Sequence, residues 1–469
     1  MRQTHEFEPL YTAAEMRAAE ERYPNYPASV PELMARAGWH VARAALETFV
    51  DLVRWTVVCG GGSNGGDGRV VARHLAEAGM QVRIVDAKAG ETELGDPEVI
   101  VDALFGTGFS GAPRPEAAAL IEKINASGAR VLAVDLPSGV DASTGEVAGA
   151  AVRADETVTF HARKVGLLVA PGRFKVGALR VADIGLEARD TEAKLATVEL
   201  LQAVPRRREQ DNKYTAGHVL VVGGSRGLTG APSLSARAAM RADAGYVTVA
   251  APGSTLPVLE RRLLEAVKRP LPDDGDGVVA AGAVDIVLAL AERASALAIG
   301  PGLGRGAGPR ELVRRVLAEV RLPVVVDADA LFELEPAAWA GPRVLTPHEG
   351  ELARLLGRES KEVAAHRLAS VHEAAQRFDC VVLLKGPDTL VAAPGRGVLV
   401  SALGLPSLAT AGTGDVLTGI VAAFLAKGME PQRAAVAAAV AQQRASVLAP
   451  QRAGLVAGDL LDALPRVLG

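Results

Sequence analysis

The chain has 469 residues, a length that favours two or three domains over one. Apolar residues make up 49% of it and charged residues 23%, which is typical of a globular protein and excludes a disordered one. The net charge of −4 excludes the basic surface of a protein that binds nucleic acid or an anionic membrane. No apolar run approaches the roughly 18 residues that a membrane span needs. We therefore expect neither nucleic acid nor a membrane as a partner.

The cysteine content and the N-terminus indicate where the protein works. Cys59 and Cys380 are the only cysteines, and each lies in an apolar run. We expect two buried thiols in a reducing compartment. The N-terminal segment carries Glu6, Glu8 and Glu15 and lacks the apolar core of a signal peptide. These features predict a cytoplasmic protein.

The first part of the chain alternates between strand and helix patterns. Residues 11–50 are predicted to be helical, because apolar positions recur at spacings of three and four. A strand at Trp55–Cys59, a Gly-rich loop, a helix at Asp67–Ala78 and a strand at Gln81–Val85 form a βαβ unit. Further strands are predicted at Val99–Ala103, Val131–Val134, Thr157–Phe160 and Ala178–Val181. This order predicts an α/β fold, a Rossmann-like doubly wound sheet, over residues 1–195.

The pattern restarts after a polar stretch. Residues 196–213 lack apolar periodicity and predict a linker region, and a second α/β domain is expected over 205–469. Its predicted strands are Val219–Val222, Tyr246–Ala250, Ala296–Ile299, Val324–Val326, Val344–Leu345 and Val381–Leu384. Two Ala-rich helices are predicted at Asp415–Ala426 and Pro431–Leu448. We expect such helices to cover an interface, and hence a homo-oligomer.

The Gly-rich loop after the first predicted strand is a candidate phosphate site. Glycines let the backbone approach a ligand, and the helix that follows offers free N–H groups. Gly60, Gly62 and Gly65 match the dinucleotide fingerprint, and Asp86 lies where a dehydrogenase has its ribose-binding acid. The fingerprint alone is weak evidence, since a tight turn has the same composition. Asp67 has the alternative role of capping the helix.

Two other predicted strands end in similar loops. Asp102 begins a second Gly-rich loop that runs to Gly111, and Asp135 begins a third that runs to Asp141. Ligands bind beyond the carboxyl ends of strands in open parallel sheets, so we expect the three loops to converge.

These loops resemble those of the NAD(P)H-hydrate epimerase family, as do Leu33–Gly38 and Lys164–Leu167. The resemblance implies epimerisation of a hydrated nicotinamide ring, with Asp135 as the catalytic acid/base. It also implies a potassium ion held by Asn64, Asp102 and Ser138. The implied substrate-binding residues are Asn64, Gly65, Gly66, Asp67, Gly68, Gly106, Thr107, Gly108, Phe109, Ser110, Gly111, Ala112 and Asp135. The family commonly has two asparagines before Gly-Gly-Asp-Gly, and this chain has Ser63 in place of the first.

The second domain contains the pattern of a phosphoryl-transfer site. Gly412-Thr-Gly-Asp415 opens a predicted helix whose N–H groups and dipole favour a phosphate. Asp415 is placed to accept the proton of a substrate hydroxyl, although it could instead cap the helix. Lys385-Gly-Pro-Asp-Thr389 follows another strand and supplies a cation. His348 is either a substrate contact or a helix-start residue.

This set resembles the ribokinase-like superfamily, and within it the ADP- or ATP-dependent NAD(P)H-hydrate dehydratases. The motifs are Gly300–Gly304, Asp327–Leu331, Thr346–Glu351 and Gly412–Asp415. The resemblance implies catalysis by Asp415 and substrate contacts from Ala231, Gly302, His348 and Asp415. It also implies that ADP, accompanied by Mg²⁺, is bound by Lys385, Gly386, Pro387, Asp388, Thr389 and Gly414.

Together the two resemblances imply a bifunctional enzyme that repairs hydrated NADH and NADPH at the expense of ADP. Two alternatives remain open from the sequence. One is a vitamin or sugar kinase of the ribokinase type fused to a dinucleotide-binding domain, which Thr346–Glu351 fits less well. The other is a non-catalytic nucleotide sensor, which would not require acids at Asp135 and Asp415.

Overall fold

The computed structural model describes residues 5–451 and 453–469, and these form two compact units. The N-terminal unit comprises Pro9–Ala193 and Ala364–Arg367. The C-terminal unit comprises Lys194–Val363, Leu368–Gly469 and the described residues up to Glu8. The first strand, β1 (Phe7–Leu10), is at one edge of an 11-stranded sheet, the sheet of the C-terminal unit.

The N-terminal unit is built on a six-stranded parallel sheet. Its strands are β2 (Arg54–Cys59), β3 (Gln81–Asp86), β4 (Val99–Ala103), β5 (Arg130–Val134), β6 (Glu156–Phe160) and β7 (Ala178–Ala182). Its helices are α1 (Ala13–Glu21), α2 (Val30–Thr48), α3 (Ser63–Glu77) and α4 (Pro115–Ala126). The spatial order is β3-β2-β4-β5-β6-β7, so the sheet is doubly wound, as predicted, with the flavodoxin-like order rather than the dinucleotide-fold one.

Among the described residues, the sheet of the C-terminal unit contains ten further strands. They are β8 (Ala193–Ala196), β9 (His218–Val222), β10 (Tyr246–Pro252), β11 (Val267–Leu271), β12 (Ala296–Ile299), β13 (Val324–Val326), β14 (Arg343–Leu345), β15 (Val381–Leu384), β16 (Thr389–Ala392) and β17 (Leu399–Ser401). The spatial order is β1-β8-β17-β16-β15-β14-β13-β12-β9-β10-β11, and the run from β15 to β11 is parallel. This sheet confirms the second α/β domain.

The helices of the C-terminal unit cover that sheet. They are α5 (Gly230–Arg241), α6 (Leu256–Arg262), α7 (Val284–Ala291), α8 (Ala307–Glu319), α9 (Glu349–Leu356), α10 (Ser360–Ala365), α11 (Arg367–Arg377), α12 (Thr413–Ala426), α13 (Pro431–Leu448) and α14 (Ala457–Leu468). Most side chains of α12 and α13 are buried in this unit's own core. These Ala-rich helices therefore offer no broad surface to another copy, and that reason for a homo-oligomer was wrong. Oligomerisation itself stays a prediction.

The segment predicted as a linker over 196–213 is partly structured, and the structure corrects its start. β8 pairs with β17, and Leu200, Leu201 and Val204 are buried in the core of the C-terminal unit. Lys427 Nζ donates a hydrogen bond to the carbonyl oxygen of Pro205 at 2.8 Å. Apolar residues at irregular spacing gave no periodic signal, so the sequence did not indicate this packing. Residues 1–4 of the predicted first domain lie outside the described residues.

Both cysteines are free and buried, as predicted. Burial raises the pKa of the Cys59 thiol to about 11 and that of the Cys380 thiol to about 12. Across the described residues, no helix combines the length and the apolar character that crossing a membrane requires.

Candidate functional sites

The N-terminal site lies where the sheet order reverses. The chain runs from β2 to β3 on one side and then returns to β4 on the other side of β2, so the loops after β2 and β4 flank a crevice. They approach so closely that a Cβ on Gly60 would lie 2.0 Å from the carbonyl oxygen of Leu104. Only glycine fits there. A separate cavity of about 350 Å³ is lined by Arg54 and Gln81, at the starts of the strands and away from these loops.

The predicted Gly-rich loop is shorter than expected, because α3 begins at Ser63. Asn64, Gly65, Gly66, Asp67 and Gly68 lie in the first turns of this helix and not in a loop. The N-cap of α3 is Gly62, and no side chain caps the helix. Asp67 lies inside the helix, so the capping role considered for it was wrong. The uncapped helix start leaves N–H groups available to an anion.

Asp102, Ser138 and Asn64 come together around the peptide of Phe105. Asp102 is fully buried, and its two oxygens accept hydrogen bonds from Ser138 Oγ at 2.6 Å and from Ser138 N at 2.8 Å. Phe105 N donates to Ser138 Oγ, and Asn64 Nδ2 donates to the Phe105 carbonyl oxygen, both at 2.8 Å. Burial raises the pKa of Asp102 to about 6, although the hydrogen bonds from Ser138 and Leu104 act to lower it.

The loop from Gly106 to Ala112 follows directly. A Cβ on Gly106 would lie 3.1 Å from Asn64 Cγ, so the start of this loop lies against α3. The Phe105 and Phe109 rings stack with centroids 4.8 Å apart. Gly108, Ser110, Gly111 and Ala112 are exposed, and Gly106, Thr107 and Phe109 are half-buried.

Asp135 is held by a buried lysine. Its backbone has φ +66°, a left-handed conformation that is uncommon outside glycine, and its side chain is 9% exposed. Lys164, with no exposed side-chain surface, donates to Asp135 Oδ1 at 2.6 Å, and Thr159 Oγ1 donates to the same oxygen at 2.9 Å. No described residue hydrogen-bonds to Asp135 Oδ2. One oxygen of this carboxylate is therefore fixed while the other remains available.

Two further carboxyl groups are electrostatically coupled to Asp135. Burial raises the pKa of Asp67 well above its ordinary value, and the charges of Asp135 and Glu20 add to this. Burial and the charge of Asp135 also raise the pKa of Glu20, although Lys164 opposes them. Glu20 was missed from the sequence, because an acid at the end of α1 looks like a solvated residue. Lys164 was quoted as part of a motif without a role.

Asp86 does not present a free ribose-binding acid. Its carboxylate bonds Arg69 at 2.6 Å and accepts hydrogen bonds from the backbone N–H groups of Lys88 and Ala89. The fingerprint glycines have structural roles instead, since a Cβ on Gly65 would lie 1.9 Å from the carbonyl oxygen of Gly60. These contacts argue against the interpretation of the Gly-rich loop as the dinucleotide fingerprint of a dehydrogenase.

The C-terminal site also lies at a reversal of sheet order, between β9 and β12. A Cβ on Gly223 would lie 2.3 Å from the carbonyl oxygen of Pro301, so the loops after these strands touch. Gly302 has φ +61°, and a Cβ there would lie 3.4 Å from Cβ of Ala231. Ser225 Oγ donates to the Gly302 carbonyl oxygen at 3.0 Å. Ala231 and Gly302 are thus brought together.

Asp415 lies in the first turn of α12, as its third residue. The N-cap is Gly412, at φ +89°, so the capping role considered for Asp415 was wrong. No hydrogen-bond partner of the Asp415 carboxylate is found among the described residues. Burial and the charge of Asp327 raise the pKa of Asp415 to about 7, although Lys385 acts to lower it. Such a carboxyl group changes protonation near neutral pH, as an acid/base catalyst does.

Lys385 lies beside this helix start, since a Cβ on Gly414 would be 3.4 Å from Lys385 Nζ. Its ammonium donates to Asp327 Oδ1 at 2.9 Å and is 3.9 Å from Glu351 Oε2. Burial acts to lower the pKa of Lys385, but the charges of Asp327 and Glu351 outweigh it, and the pKa is raised. Lys385 therefore stays charged beside the N-terminus of α12.

The rest of the predicted nucleotide-binding segment forms the turn between β15 and β16 and the first residue of β16, Thr389. Gly386 and Pro387 are exposed at this turn, and Asp388 and Thr389 are buried. Gln443 Nε2 lies 3.4 Å from Thr389 Oγ1.

His348 caps α9, which is the structural role that the sequence left open. Its Nδ1 accepts hydrogen bonds from Gly350 N at 3.0 Å and Glu351 N at 3.3 Å. In return, His348 N donates a hydrogen bond to Glu351 Oε2. The side chain remains 57% exposed. Since Nδ1 acts as an acceptor, the neutral ring carries its proton on Nε2, which lies 3.5 Å from Glu351 Oε1.

Lys164 gives a testable prediction for the N-terminal site. Replacing Lys164→Met removes the ammonium that pairs with the buried Asp135 carboxylate, and we expect unfolding free energy to fall by about 3–5 kcal/mol. The matched control is Arg130→Met, because the Arg130 side chain in its pair with Asp155 is 65% exposed. We expect that change to cost no more than about 1 kcal/mol. Urea unfolding measures both, and equal losses in the two variants would contradict the burial argument.

Comparisons with known proteins agree with the two-unit description. Residues 219–466 match the family model described as NAD(P)H-hydrate dehydratase. Residues 30–93 and 84–166 match the model described as YjeF-related protein N-terminus. The C-terminal unit is similar to the ADP/ATP-dependent NAD(P)H-hydrate dehydratase of Bacillus subtilis, co-crystallised with ATP/Mg²⁺, at 30% identity and a TM-score of 0.51. The likeness covers 58% of this chain and 96% of that one.

Full-length relatives extend the similarity to both units. The bifunctional NAD(P)H-hydrate repair enzyme Nnr of Moorella thermoacetica is 39% identical over 98% of this chain and 96% of its own length. The enzyme of the same name from Salinibacter ruber is 37% identical, with the same coverage of both chains. These matches exclude the vitamin or sugar kinase and the sensor as readings of the sequence. The chain belongs to the family of bifunctional NAD(P)H-hydrate repair enzymes.

Proposed function

We propose that the two units act on the same damaged cofactor, hydrated NADH or NADPH. The N-terminal unit interconverts the R and S forms of the hydrate. The C-terminal unit dehydrates the S form back to NAD(P)H and consumes ADP. A dehydratase that uses one epimer leaves the other behind, so an epimerase on the same chain makes both forms repairable.

The observation that carries the proposal is the Asp415 carboxylate. It is half-buried at the start of α12, has its pKa raised to about 7, and lies near the Lys385 ammonium. A proton acceptor beside a cation and a helix N-terminus suits transfer of a phosphoryl group to a hydroxyl. A simple binding site would not need an ionisable acid there.

The reaction at the C-terminal site is proposed in two steps. Asp415 takes the proton of the ring hydroxyl, whose oxygen attacks the β-phosphorus of ADP and displaces AMP. The phosphate ester then leaves as inorganic phosphate while the neighbouring ring carbon loses a proton, and the ring double bond is restored. The sum is hydrate plus ADP giving NAD(P)H, AMP, phosphate and a proton. Phosphorylation is required because hydroxide is a poor leaving group.

The ligands of this site follow from the family resemblance. Ala231, Gly302, His348 and Asp415 are proposed to contact the hydrate, and the contact between Ala231 and Gly302 supports a shared surface. Lys385, Gly386, Pro387, Asp388, Thr389 and Gly414 are proposed to contact ADP. The described residues contain no cluster of three His, Cys, Asp or Glu side chains able to hold a metal ion. Mg²⁺ is therefore proposed to enter with the nucleotide, because this ion usually keeps several waters and binds through substrate phosphates with few protein carboxylates.

The N-terminal site is proposed to move protons on and off the hydrated ring. Asp135 is the proposed acid/base, with Oδ1 held by Lys164 and Oδ2 left to the substrate. The raised pKa values of Asp67 and Glu20 favour protonated carboxyl groups, which can donate protons or hydrogen bonds beside it. Residues Asn64–Gly68 and Gly106–Ala112 are proposed to bind the nucleotide.

A potassium ion at Asn64, Asp102 and Ser138 is proposed from the resemblance. The donor set supports it, because these side chains offer only oxygen ligands with a single carboxylate, and they meet at the Phe105 peptide. One negative charge among neutral oxygens suits a monovalent cation better than a divalent one. When bound, the ion would offset the burial cost of the Asp102 charge.

Asp415→Asn should abolish recovery of NAD(P)H from either epimer, because an amide cannot accept the hydroxyl proton. In the unchanged protein, the rate with the S form should rise with pH through about 7, since only the ionised carboxylate is a base. Absorbance of the reduced nicotinamide, followed with ADP and Mg²⁺, measures both. An active Asp415→Asn protein would contradict the role of Asp415.

Asp135→Asn should slow recovery from the R form by about 100-fold or more and spare the S form, since general acid–base catalysis contributes roughly 10²–10⁴-fold. The same absorbance assay, started from each purified epimer, separates the two effects. Equal loss with both epimers would contradict the division of labour between the units.

Potassium should stabilise the N-terminal unit. We expect 100 mM KCl to raise its melting temperature by about 2–4 °C over choline chloride at equal ionic strength, because a ligand that binds only the folded state stabilises it. The variant Asp102→Asn, which lacks the only carboxylate of the proposed set, should lose this difference. If that variant responds to potassium as the unchanged protein does, the ion binds elsewhere.

A further inference from the structure

We propose that Asp327 is a positioning residue of the C-terminal site, which holds the Lys385 ammonium and the start of α12 in one arrangement and places a second negative charge near Asp415. This inference rests on the proposed function, because it assigns Asp327 a role toward the base of that reaction. Asp327 itself need not touch the substrate.

The hydrogen bonds of Asp327 join three elements. The residue follows β13 and is 1% exposed. Its Oδ1 accepts from Lys385 Nζ at 2.9 Å and from Thr346 Oγ1 at 2.8 Å, and its Oδ2 accepts from Thr418 Oγ1 at 2.7 Å. Lys385 follows β15, Thr346 follows β14 and Thr418 belongs to α12. A single buried carboxylate therefore ties the ends of two strands to the helix that carries Asp415.

Thr418 transmits this tie to the proposed base. It lies three residues after Asp415, about one turn further along the same helix face. Thr418 is fully buried, and its hydroxyl donates to Asp327 Oδ2. Together with the buried packing of α12, the bond therefore holds the helix in one rotation about its axis, and with it the direction in which Asp415 points.

Lys385 is the second group that Asp327 holds. The lysine side chain is long and flexible, and its ammonium is also 3.9 Å from Glu351 Oε2. The bond to Asp327 keeps the ammonium near Gly414, at the first turn of α12. Without it, Lys385 could move toward Glu351 and leave the helix start where the phosphate is proposed to bind.

The charges near Asp415 explain why Asp327 also affects proton transfer. Burial is the largest cause that raises the pKa of Asp415, Asp327 is the next, and Asp329 adds to it, while Lys385 opposes them. Asp327 and Asp329 are both paired with a cation, Lys385 and Arg305 respectively, so pairing does not distinguish them. Because the effect of Asp327 on the pKa of Asp415 is the larger of the two, removing the charge of Asp327 should lower that pKa more than removing that of Asp329.

The test is the variant Asp327→Asn, which keeps the size of the side chain and removes its charge. With the S hydrate, ADP and Mg²⁺, we expect turnover at its optimum to fall about 10- to 100-fold, as small misplacement of reacting groups does. We also expect the acidic limb of the pH–rate profile to move to lower pH, because the charge of Asp327 raises the pKa of Asp415 more than the charge of Lys385 lowers it. A purely structural role would lower the melting temperature without moving that limb.

Two control variants separate charge from position. Asp329→Asn should move the acidic limb less than Asp327→Asn does. Thr418→Val keeps the Asp327 charge and removes the hydrogen bond to α12, so turnover should fall while the acidic limb stays in place.

Unchanged turnover in Thr418→Val would overturn the positioning role even if Asp327→Asn failed to fold. If the unchanged protein is active and Asp327→Asn leaves the acidic limb of the pH–rate profile in place, only the charge effect is overturned. An unchanged protein without activity on the S hydrate would overturn the proposed function, and this inference with it.

Discussion

Both sites depend on one topological constraint, the return of the chain across a central strand of its sheet. In each unit a central parallel strand has its successor on one side and a later strand on the other, which opens a crevice at the carboxyl edge of the sheet. The loops that flank the crevice come into backbone contact. Glycine is therefore required at Gly60 and Gly223, where a Cβ would lie 2.0 and 2.3 Å from a carbonyl oxygen.

At both sites a lysine compensates a buried carboxylate. Lys164 pairs with Asp135 in the N-terminal unit, and Lys385 pairs with Asp327 in the C-terminal unit. Removing either partner would leave an uncompensated charge away from water. The two units use the pair differently. In the first the paired carboxylate is the proposed acid/base, whereas in the second the proposed base, Asp415, is a separate and unpaired group.

The comparison of prediction and structure separates local from non-local information. The strands β12, β13 and β15 and the helix α13 have the bounds predicted, because each is an apolar or Ala-rich run closed by turn residues. β11 was missed because it contains Lys268, Arg269 and Pro270, which an edge strand tolerates and a buried strand does not. The start of α3 was placed too late because its glycines were attributed to a loop.

The sequence by itself determined the two α/β domains, the family resemblance and the acids at strand ends, since these follow from short-range pattern and motif. Only the tertiary structure decided which side chains meet. Lys164 and Asp135 are 29 residues apart, and Asp327 and Thr418 are 91 apart. Such pairs leave no periodic signal in the chain, because their contact depends on the order of strands in the sheet and on how the helices lie over it.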